Sequence, residues 1–149
     1  MTSYETVYSR FLNSVTDFNL AELDDYTLEE MLKSWLNSAI AKTRTSTDLT
    51  RLEPADLAPE GEEDVGEGFK NDLTDLDIEL LAMGMKLAWL DQTLNSTENT
   101  LMFIGGKEEK FYSQANHITE LRALRADTLR EMQQLYTYST YNKNPYFDE

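Results

Sequence analysis

The stretch TDLDIELLAMGMKLAWL, residues 74–90, decides the fold of this 149-residue chain. Its apolar residues recur nearly all the way round a helix, which is the pattern of a helix that is buried on several sides. Thr74 can cap the start of such a helix, and the acidic side chains that follow it favour the positive end of the helix dipole. Gly84 has no side chain and lets a neighbouring helix approach closely. The sequence therefore predicts a central helix here, which ends at 95–96.

Two amphipathic helices are predicted before the central one. In the first, residues 3–15, apolar side chains recur at helical spacing, and Ser3 is suited to cap the start. The second opens with Thr27 and Glu30 at the spacing of a capping box, in which each side chain accepts from the other residue's backbone amide. An apolar stripe at i, i+3, i+4 and i+7 then continues to Ile40. This stripe makes the second segment a predicted core helix.

A short helix and a long one are predicted after the central helix. Residues 97–104 form the short helix, and residues 107–110 form a charged turn at the surface. The long helix extends from about Ser113 to about Tyr138 and carries charges of both signs on its outer face. The whole pattern predicts an all-α fold, a small helical bundle in one domain, residues 1–149. The predicted core includes Trp35, Leu36, Leu81, Trp89 and Leu121.

Residues 45–72 are predicted to form a long acidic loop. Prolines and glycines interrupt the segment, and its like charges repel one another with little apolar surface to offset them. Leu49, Leu52 and Leu57 are suited to anchor the first half, whereas the second half is predicted to be loose unless a partner orders it. A loop of this length in a small domain is usually functional or mobile. Its charge comes mainly from Glu60, Glu62, Glu63, Asp64 and Glu67.

The residues after the last helix, 139–149, are predicted to form an extended C-terminal arm. Asn and Pro make the segment a poor helix, yet it is rich in aromatic side chains, which are enriched at the cores of interfaces. Two interpretations stay open: the arm is tucked onto its own domain, or it docks on a neighbouring chain. The residues assigned to partner binding are Tyr138, Tyr141, Pro145, Tyr146 and Phe147.

The charge balance limits the kinds of partner. The chain has 13 Lys and Arg against 28 Asp and Glu, a formal net charge of −15, so nucleic acid and anionic membranes repel it. No apolar run approaches the roughly 20 residues that span a bilayer, and the first residues lack the features of a signal peptide. We therefore expect synthesis in the cytoplasm, no specific binding to nucleic acid and no membrane association. An acidic surface can also meet a basic protein patch, imitate DNA, or simply keep the chain soluble.

No residue pattern points to catalysis. The chain has no cysteine and one histidine, His117, which excludes cysteine-ligated zinc, thiolate nucleophiles and His-rich metal sites. There is no Gly-x-Ser-x-Gly nucleophile elbow, and residues 105–107 lack the flanking residues of a phosphate-binding loop. The acidic loop lacks the spacing of a calcium site. The sequence therefore predicts a protein without enzymatic activity, cofactor or metal, which acts by binding other protein chains.

Several segments, which cover most of the chain outside 45–72, share a further similarity. They are YETVYSRFL (4–12), KSWLNSAIAK (33–42), IELLA (78–82) followed by WL (89–90) and NST (95–97), and KFYSQANH (110–117) followed by EL (120–121), LR (124–125) and YTY (136–138). In these residues the chain resembles small neck proteins encoded by phages of Gram-positive bacteria. The segment at 110–117 is the most distinctive of them.

The resemblance implies a head–tail connector, or adaptor, in the neck of the virion. Proteins of that class are helical bundles that assemble as a ring beneath the portal, with a C-terminal segment that reaches the portal. The implied partners are other copies of the chain, the portal protein, and a downstream neck, stopper or tail protein, with DNA passing through the ring. The loop at 45–72 departs from the shorter connection expected in that class, so its role is not carried over.

Three functional hypotheses follow. In the first, the chain is a connector whose arm, Tyr141 to Phe147, inserts into the portal, while the acidic loop lines or rims the channel so that DNA slides without sticking. In the second, it is an acidic inhibitor, or DNA mimic, that occupies the basic groove of a nucleic-acid enzyme and needs ordered carboxylates. In the third, it is a tail-completion or terminator ring, which differs from the connector only in where it docks.

Overall fold

The predicted central helix is the axis of the structure. The computed structural model describes residues 2–15, 22–44, 54–56, 67–69, 72–104 and 108–142. In these ranges the elements are β1 (Thr2–Ser3), α1 (Tyr4–Ser14), α2 (Asp25–Arg44), β2 (Pro54–Asp56), β3 (Glu67–Phe69), α3 (Asp75–Ile104) and α4 (Glu108–Asn142). Helix α3 contacts α1, α2 and α4, which pack around it. The predicted small all-α fold is confirmed, with three short strands added to it.

The main core lies between α1, α2 and one side of α3. The ring of Phe11 lies 5.6 Å from that of Trp35 and 6.5 Å from that of Trp89, measured between centroids. The indole N–H of Trp35 donates to the side-chain oxygen of Gln92 at 2.9 Å, so its one polar group keeps a partner. The predicted core residues are at most 8% exposed, and they are Trp35, Leu36, Leu81, Trp89 and Leu121.

Three helices meet at Gly84 of α3. A Cβ atom placed on this glycine would lie 2.8 Å from Cβ and 3.2 Å from Cα of Ala39 in α2. The terminal methyl of Met132 in α4 would lie 3.7 Å from it. The predicted close approach of a neighbouring helix is confirmed, and any residue larger than glycine would separate α2 from α3.

Two of the predicted helix caps are present. The Ser3 hydroxyl accepts from an amide in the first turn of α1 at 3.2 Å. At the start of α3, the Thr74 hydroxyl accepts from the amide of Asp77, and the Asp77 carboxylate accepts from the amide of Thr74, each at 3.2 Å. This reciprocal pair satisfies two backbone donors that the first turn of a helix leaves without partners.

The predicted cap at Thr27 is wrong. Helix α2 begins at Asp25, and the Asp24 carboxylate accepts from the amide of Thr27 at 3.3 Å. The Asp24 carbonyl also accepts from the amide of Leu28 at 3.0 Å, as a residue at the N-cap should. An aspartate three residues upstream of Thr27 therefore serves as the cap, and the Thr27–Glu30 pair lies inside the helix.

The predicted end of the central helix at 95–96 is wrong, because α3 continues to Ile104. Polar residues are tolerated there, since the Thr97 hydroxyl donates to the carbonyl four residues earlier at 2.7 Å. A tertiary contact supports the added turns, since Glu98 pairs with Arg122 of α4 at 2.7 Å. Packing between α3 and α4 thus outweighs the weak helix propensity of the Asn-Ser-Thr run.

Helix α4 is longer than predicted at both ends. It begins at Glu108 instead of Ser113, so the predicted surface turn at 107–110 is largely helical. It ends at Asn142, so the first residues of the predicted extended arm, 139–142, are helical as well. Neither glycine nor proline occurs between its ends, and the hydroxyls of Thr128 and Thr137 donate to carbonyls one turn earlier, so these polar groups have partners inside the helix.

The region predicted as one irregular loop, 45–72, contributes two strands. Strand β3 lies between β1 and β2 and pairs antiparallel with both, with Phe69 opposite Thr2 and Pro54. Phe69 is completely buried, and its ring centroid lies 5.0 Å from that of Tyr4. The second half of this segment is therefore anchored in the core at β3, contrary to the prediction. The predicted anchors Leu49, Leu52 and Leu57 lie outside the described residues.

We expect Gly84→Ala to lower the free energy of unfolding by about 1–3 kcal/mol, because the added methyl overlaps Ala39. This is opposite to the gain of about 1 kcal/mol that the same change usually brings inside a helix. Urea denaturation followed by circular dichroism measures the effect. Ala39→Gly provides the control: combined with Gly84→Ala, it should give a protein more stable than the sum of the two single changes predicts. A single Gly84→Ala variant more stable than the parent would contradict the close crossing.

We expect Trp35→Ala to cost about 3–5 kcal/mol of unfolding free energy, since it empties the space between α1, α2 and α3. Gln92→Ala removes only the partner of the indole N–H and should cost about 1–3 kcal/mol. Both are measured by urea denaturation with circular dichroism, because the first change also removes a fluorophore. A loss under about 1 kcal/mol for Trp35→Ala, typical of surface positions, would show that the side chain does not hold the core together.

Candidate interaction surface

Helix α4 has few buried side chains for its length. It is 35 residues long, about 52 Å at 1.5 Å per residue. Ile118, Leu121 and Thr128 are buried on the side that faces α3. Most other described side chains of α4 are exposed or half-buried. The helix therefore covers α3 with one side and presents the rest to solvent.

One exposed flank of α4 carries apolar side chains. Leu124, Leu135 and Tyr138 lie on the same side of the helix, with the exposed Glu131 on that side between the two leucines, and we call the three residues the α4 stripe. Leu124 is 37% exposed and Tyr138 is 60% exposed, while Leu135 is half-buried. In the sequence, Leu124 and Leu135 belong to the apolar periodicity of this long helix. The periodicity identified an apolar side but not how far α3 covers it.

On the other flank of α4 an apolar groove of about 650 Å³ opens toward the end of α2. Leu80 and Leu87 of α3 are buried at its floor, and Leu129, Met132 and Tyr136 of α4 are half-buried along one wall. Its rim includes two basic residues, Lys42 and Arg125. We call it the α3–α4 groove. Sequence reasoning missed it, because its walls come from three helices.

The arginines with described side chains form ion pairs within the chain. They link α1 to α3, α4 to α3, and one turn of α4 to the next; the pairs are Arg10–Glu79, Arg122–Glu98, Arg125–Asp91 and Arg130–Asp127. The guanidinium groups are thus already matched with carboxylates. This pairing leaves little positive charge on this part of the surface to attract phosphates.

The residues assigned to the partner-binding arm are only partly described. Tyr138 is an exposed residue of α4, and the backbone of Tyr141 belongs to the last turn of that helix. Pro145, Tyr146 and Phe147 lie outside the described residues. The arm as predicted, from 139 onward, therefore begins later than expected.

The carboxylates assigned to the channel-facing loop are also only partly described. The backbone of Glu67 belongs to β3, and the two residues that follow it in this strand, Gly68 and Phe69, are buried. The other four, Glu60, Glu62, Glu63 and Asp64, lie outside the described residues. A different set of carboxylates is ordered and exposed at the start of α2, namely Glu22, Asp24, Asp25, Glu29 and Glu30.

The described residues show no metal-binding cluster. In the ranges with described structure, no group of three or more His, Cys, Asp or Glu side chains is arranged to hold an ion. His117 is exposed beside a shallow depression whose other lining residues are polar. The helices in the same ranges also lack the combined length and apolar character that crossing a bilayer requires.

Comparisons with protein-family models, curated proteins and solved structures find no match to this chain. Its function has to be inferred from its own residues and surfaces. The two features that stand out are the α4 stripe and the α3–α4 groove, which lie on opposite flanks of one long helix.

We expect a weak coupling between Arg125 and Asp91, whose charged atoms lie 2.5 Å apart beside the groove. Both side chains are more than a third exposed, so water screens the pair, and the coupling energy should be about 0.2–1 kcal/mol. A double-mutant cycle with Arg125→Met and Asp91→Asn, measured by urea denaturation, gives this energy. It should shrink as salt is added. A coupling that salt leaves unchanged would indicate a pair shielded from solvent.

Proposed function

We propose that this chain is a structural protein of the virion, a head–tail connector that assembles as a ring below the portal and joins the capsid to the tail. The observation that carries the proposal is the α4 stripe: a long helix packed on one side that presents Leu124 and Tyr138 to solvent. The resemblance of several sequence segments to phage neck proteins supplies the setting. Neither feature by itself identifies the partner, but both favour a protein that binds other protein chains.

The surface chemistry of α4 supports a protein partner over a nucleic acid. Tyrosine buries a large area at little cost in side-chain entropy, and its hydroxyl tolerates a wet rim. The stripe places Leu124 about 20 Å from Tyr138 along the helix, a length that suits contact with a second helix. The arginines on the same helix are paired with carboxylates, and the net charge of −15 repels phosphates.

In the proposed assembly, neighbouring copies pack side by side through helix faces, with the α4 stripe at the contact. The residues that follow α4, including Tyr146 and Phe147, reach the portal. The acidic segment that contains Glu60 and Glu62 lines or rims the channel, where negative charge keeps DNA from adhering. The outer end of the ring receives a stopper or tail protein.

To test this, Leu124→Ser combined with Tyr138→Ser should abolish ring assembly on the portal protein, as seen by electron microscopy of the purified mixture. Leu124 is 37% exposed and Tyr138 is 60% exposed, so the unfolding free energy should move by no more than about 1 kcal/mol per site. Ala123→Ser with Ala126→Ser, exposed on α4 outside the stripe, is the matched control and should leave assembly intact. Normal ring assembly by the stripe variant would exclude the stripe as the contact.

The connector role itself is tested on isolated virion necks. Mass spectrometry should find the protein there together with the portal protein. Its absence from purified necks would contradict the connector role, regardless of how the variants of the α4 stripe assemble.

A second candidate function is favoured by the ordered carboxylates at the start of α2. Five exposed acidic side chains lie between Glu22 and Glu30, as a DNA mimic would require. Two of them also serve the helix, since Asp24 caps α2 and Asp25 complements its dipole. For this reason we rank the inhibitor second. The inhibitor function would be supported if the chain stays monomeric and binds a basic nucleic-acid enzyme with an affinity that falls steeply as the salt concentration rises.

A further inference from the structure

One side of the central helix α3 is only half-covered. Between Leu80 and Leu90 all side chains are buried except those of Met83, Lys86 and Ala88. Met83 and Lys86 are three residues apart, so they are neighbours on one side of the helix. The Lys86 ammonium has neither a hydrogen bond nor an ion pair, whereas every other lysine or arginine whose side chain is described has a partner.

This side of α3 and the α4 stripe belong to the same surface. At about 100° per residue, Lys86 lies about 160° round α3 from Gly84, which meets α2 at Ala39, so it points away from α2. The α4 stripe lies on the flank of α4 opposite to the α3–α4 groove, and that flank is also turned away from α2. We call the surface formed by Met83, Lys86, Glu131 and the α4 stripe the α3–α4 face.

The α3–α4 face carries a cation and a carboxylate at nearly the same height along the bundle. Glu131 is exposed within the α4 stripe and, like Lys86, has no ion pair or hydrogen bond. Helices α3 and α4 are antiparallel, with Gly84 level with Met132. Lys86 is two residues after Gly84 and Glu131 is one residue before Met132, so the two charged residues lie close to one level.

This arrangement is complementary to itself. A two-fold axis that runs parallel to the helices within the α3–α4 face keeps every residue at its own level and places α3 of one copy over α4 of the other. It brings Lys86 of each copy opposite Glu131 of the other, and Met83 of each copy opposite Leu135. Both charges and both apolar sets are therefore matched by a second copy of the chain.

The size of the α3–α4 face agrees with a stable pair. From Leu76 to Glu98, α3 is about 33 Å long, and two helices side by side are about 20 Å wide. Covering this area removes about 650 Å² of each copy from water, or about 1,300 Å² in total, which lies at the lower end of the range for stable interfaces. Tyr138, at one end of the face, supplies the kind of aromatic side chain that is enriched in such contacts.

We infer that the free protein is a dimer in which two copies pack through their α3–α4 faces about a two-fold axis, with reciprocal Lys86–Glu131 ion pairs across the contact. This dimer covers the α4 stripe, so assembly on the portal protein, as proposed above, would exchange this contact for one in the ring. The inference does not depend on the connector role, because it concerns the protein by itself.

Charge reversal tests the inference on the purified protein in the absence of the portal. Sedimentation equilibrium at about 0.15 M salt gives the dissociation constant, and this salt screens charges more than about 8 Å apart, which limits the repulsion between two acidic copies. The variants are Glu131→Lys, Lys86→Glu and the two combined. Glu30→Lys is the matched control, because it makes the same change of charge at an exposed residue of α2, outside the α3–α4 face.

The parent protein should be a dimer. Glu131→Lys and Lys86→Glu should each raise its dissociation constant at least about tenfold, or about 1.4 kcal/mol, since each places like charges opposite one another. The combined variant exchanges the signs of each pair and should return to within about threefold of the parent, as a coupled pair requires. Glu30→Lys should change the constant by less than about threefold.

Four results would overturn the inference. The first is a parent protein that stays monomeric at about 0.1 mM. The second is an effect of Glu30→Lys as large as that of Glu131→Lys. The third is a combined variant that dimerises no more tightly than the single ones. The fourth is the formation of closed rings or open chains by the parent alone, which would indicate a head-to-tail contact instead of a two-fold one.

Discussion

The close crossing of α2 and α3 at Gly84 is the constraint on which the rest of the structure depends. At this point the backbones approach until a single added carbon would touch Ala39 at 2.8 Å. The approach brings Trp35 of α2 within hydrogen-bond distance of Gln92 of α3, and it lets the rings of Trp35 and Trp89 enclose Phe11. Small residues at a crossing thus allow large ones to interlock on either side of it, which is how a short chain reaches native packing density.

The same crossing shapes the surface of α4. Because α2 takes one side of α3 at Gly84, α4 packs on a neighbouring side, where Met132 reaches toward the same glycine. The space that remains between the end of α2 and the second half of α4 is the α3–α4 groove. The opposite flank of α4 has no helix beside it among the described residues, which leaves the α4 stripe in solvent. Core packing and candidate binding surfaces therefore have one geometric origin.

The candidate surfaces were harder to anticipate than the core. Trp35 and Trp89 each lie in a clear apolar periodicity. Burying a side chain of this size removes a large apolar area from water, so a core position is strongly favoured. Leu124 stands in a pattern of the same kind, yet it is 37% exposed. Periodicity identifies the side of a helix that is apolar, whereas the number of helices available to cover it is a property of the assembled fold. Tyr138 belongs to the aromatic-rich residues near the C-terminus that predict a partner surface, and its exposure keeps it available for that role.

The sequence by itself determined the helical class, the caps at Ser3 and Thr74, and the apolar character of α3 on nearly every side. These features depend on residues that are close to one another in the sequence, so local sequence patterns predict them. Only the tertiary structure decided that Phe69 is buried beside Tyr4, that α3 continues through its Asn-Ser-Thr run, and which flanks of α4 remain open. The physical reason is that each of these depends on contacts between distant parts of the chain, whose free energy outweighs local propensity once the helices have packed.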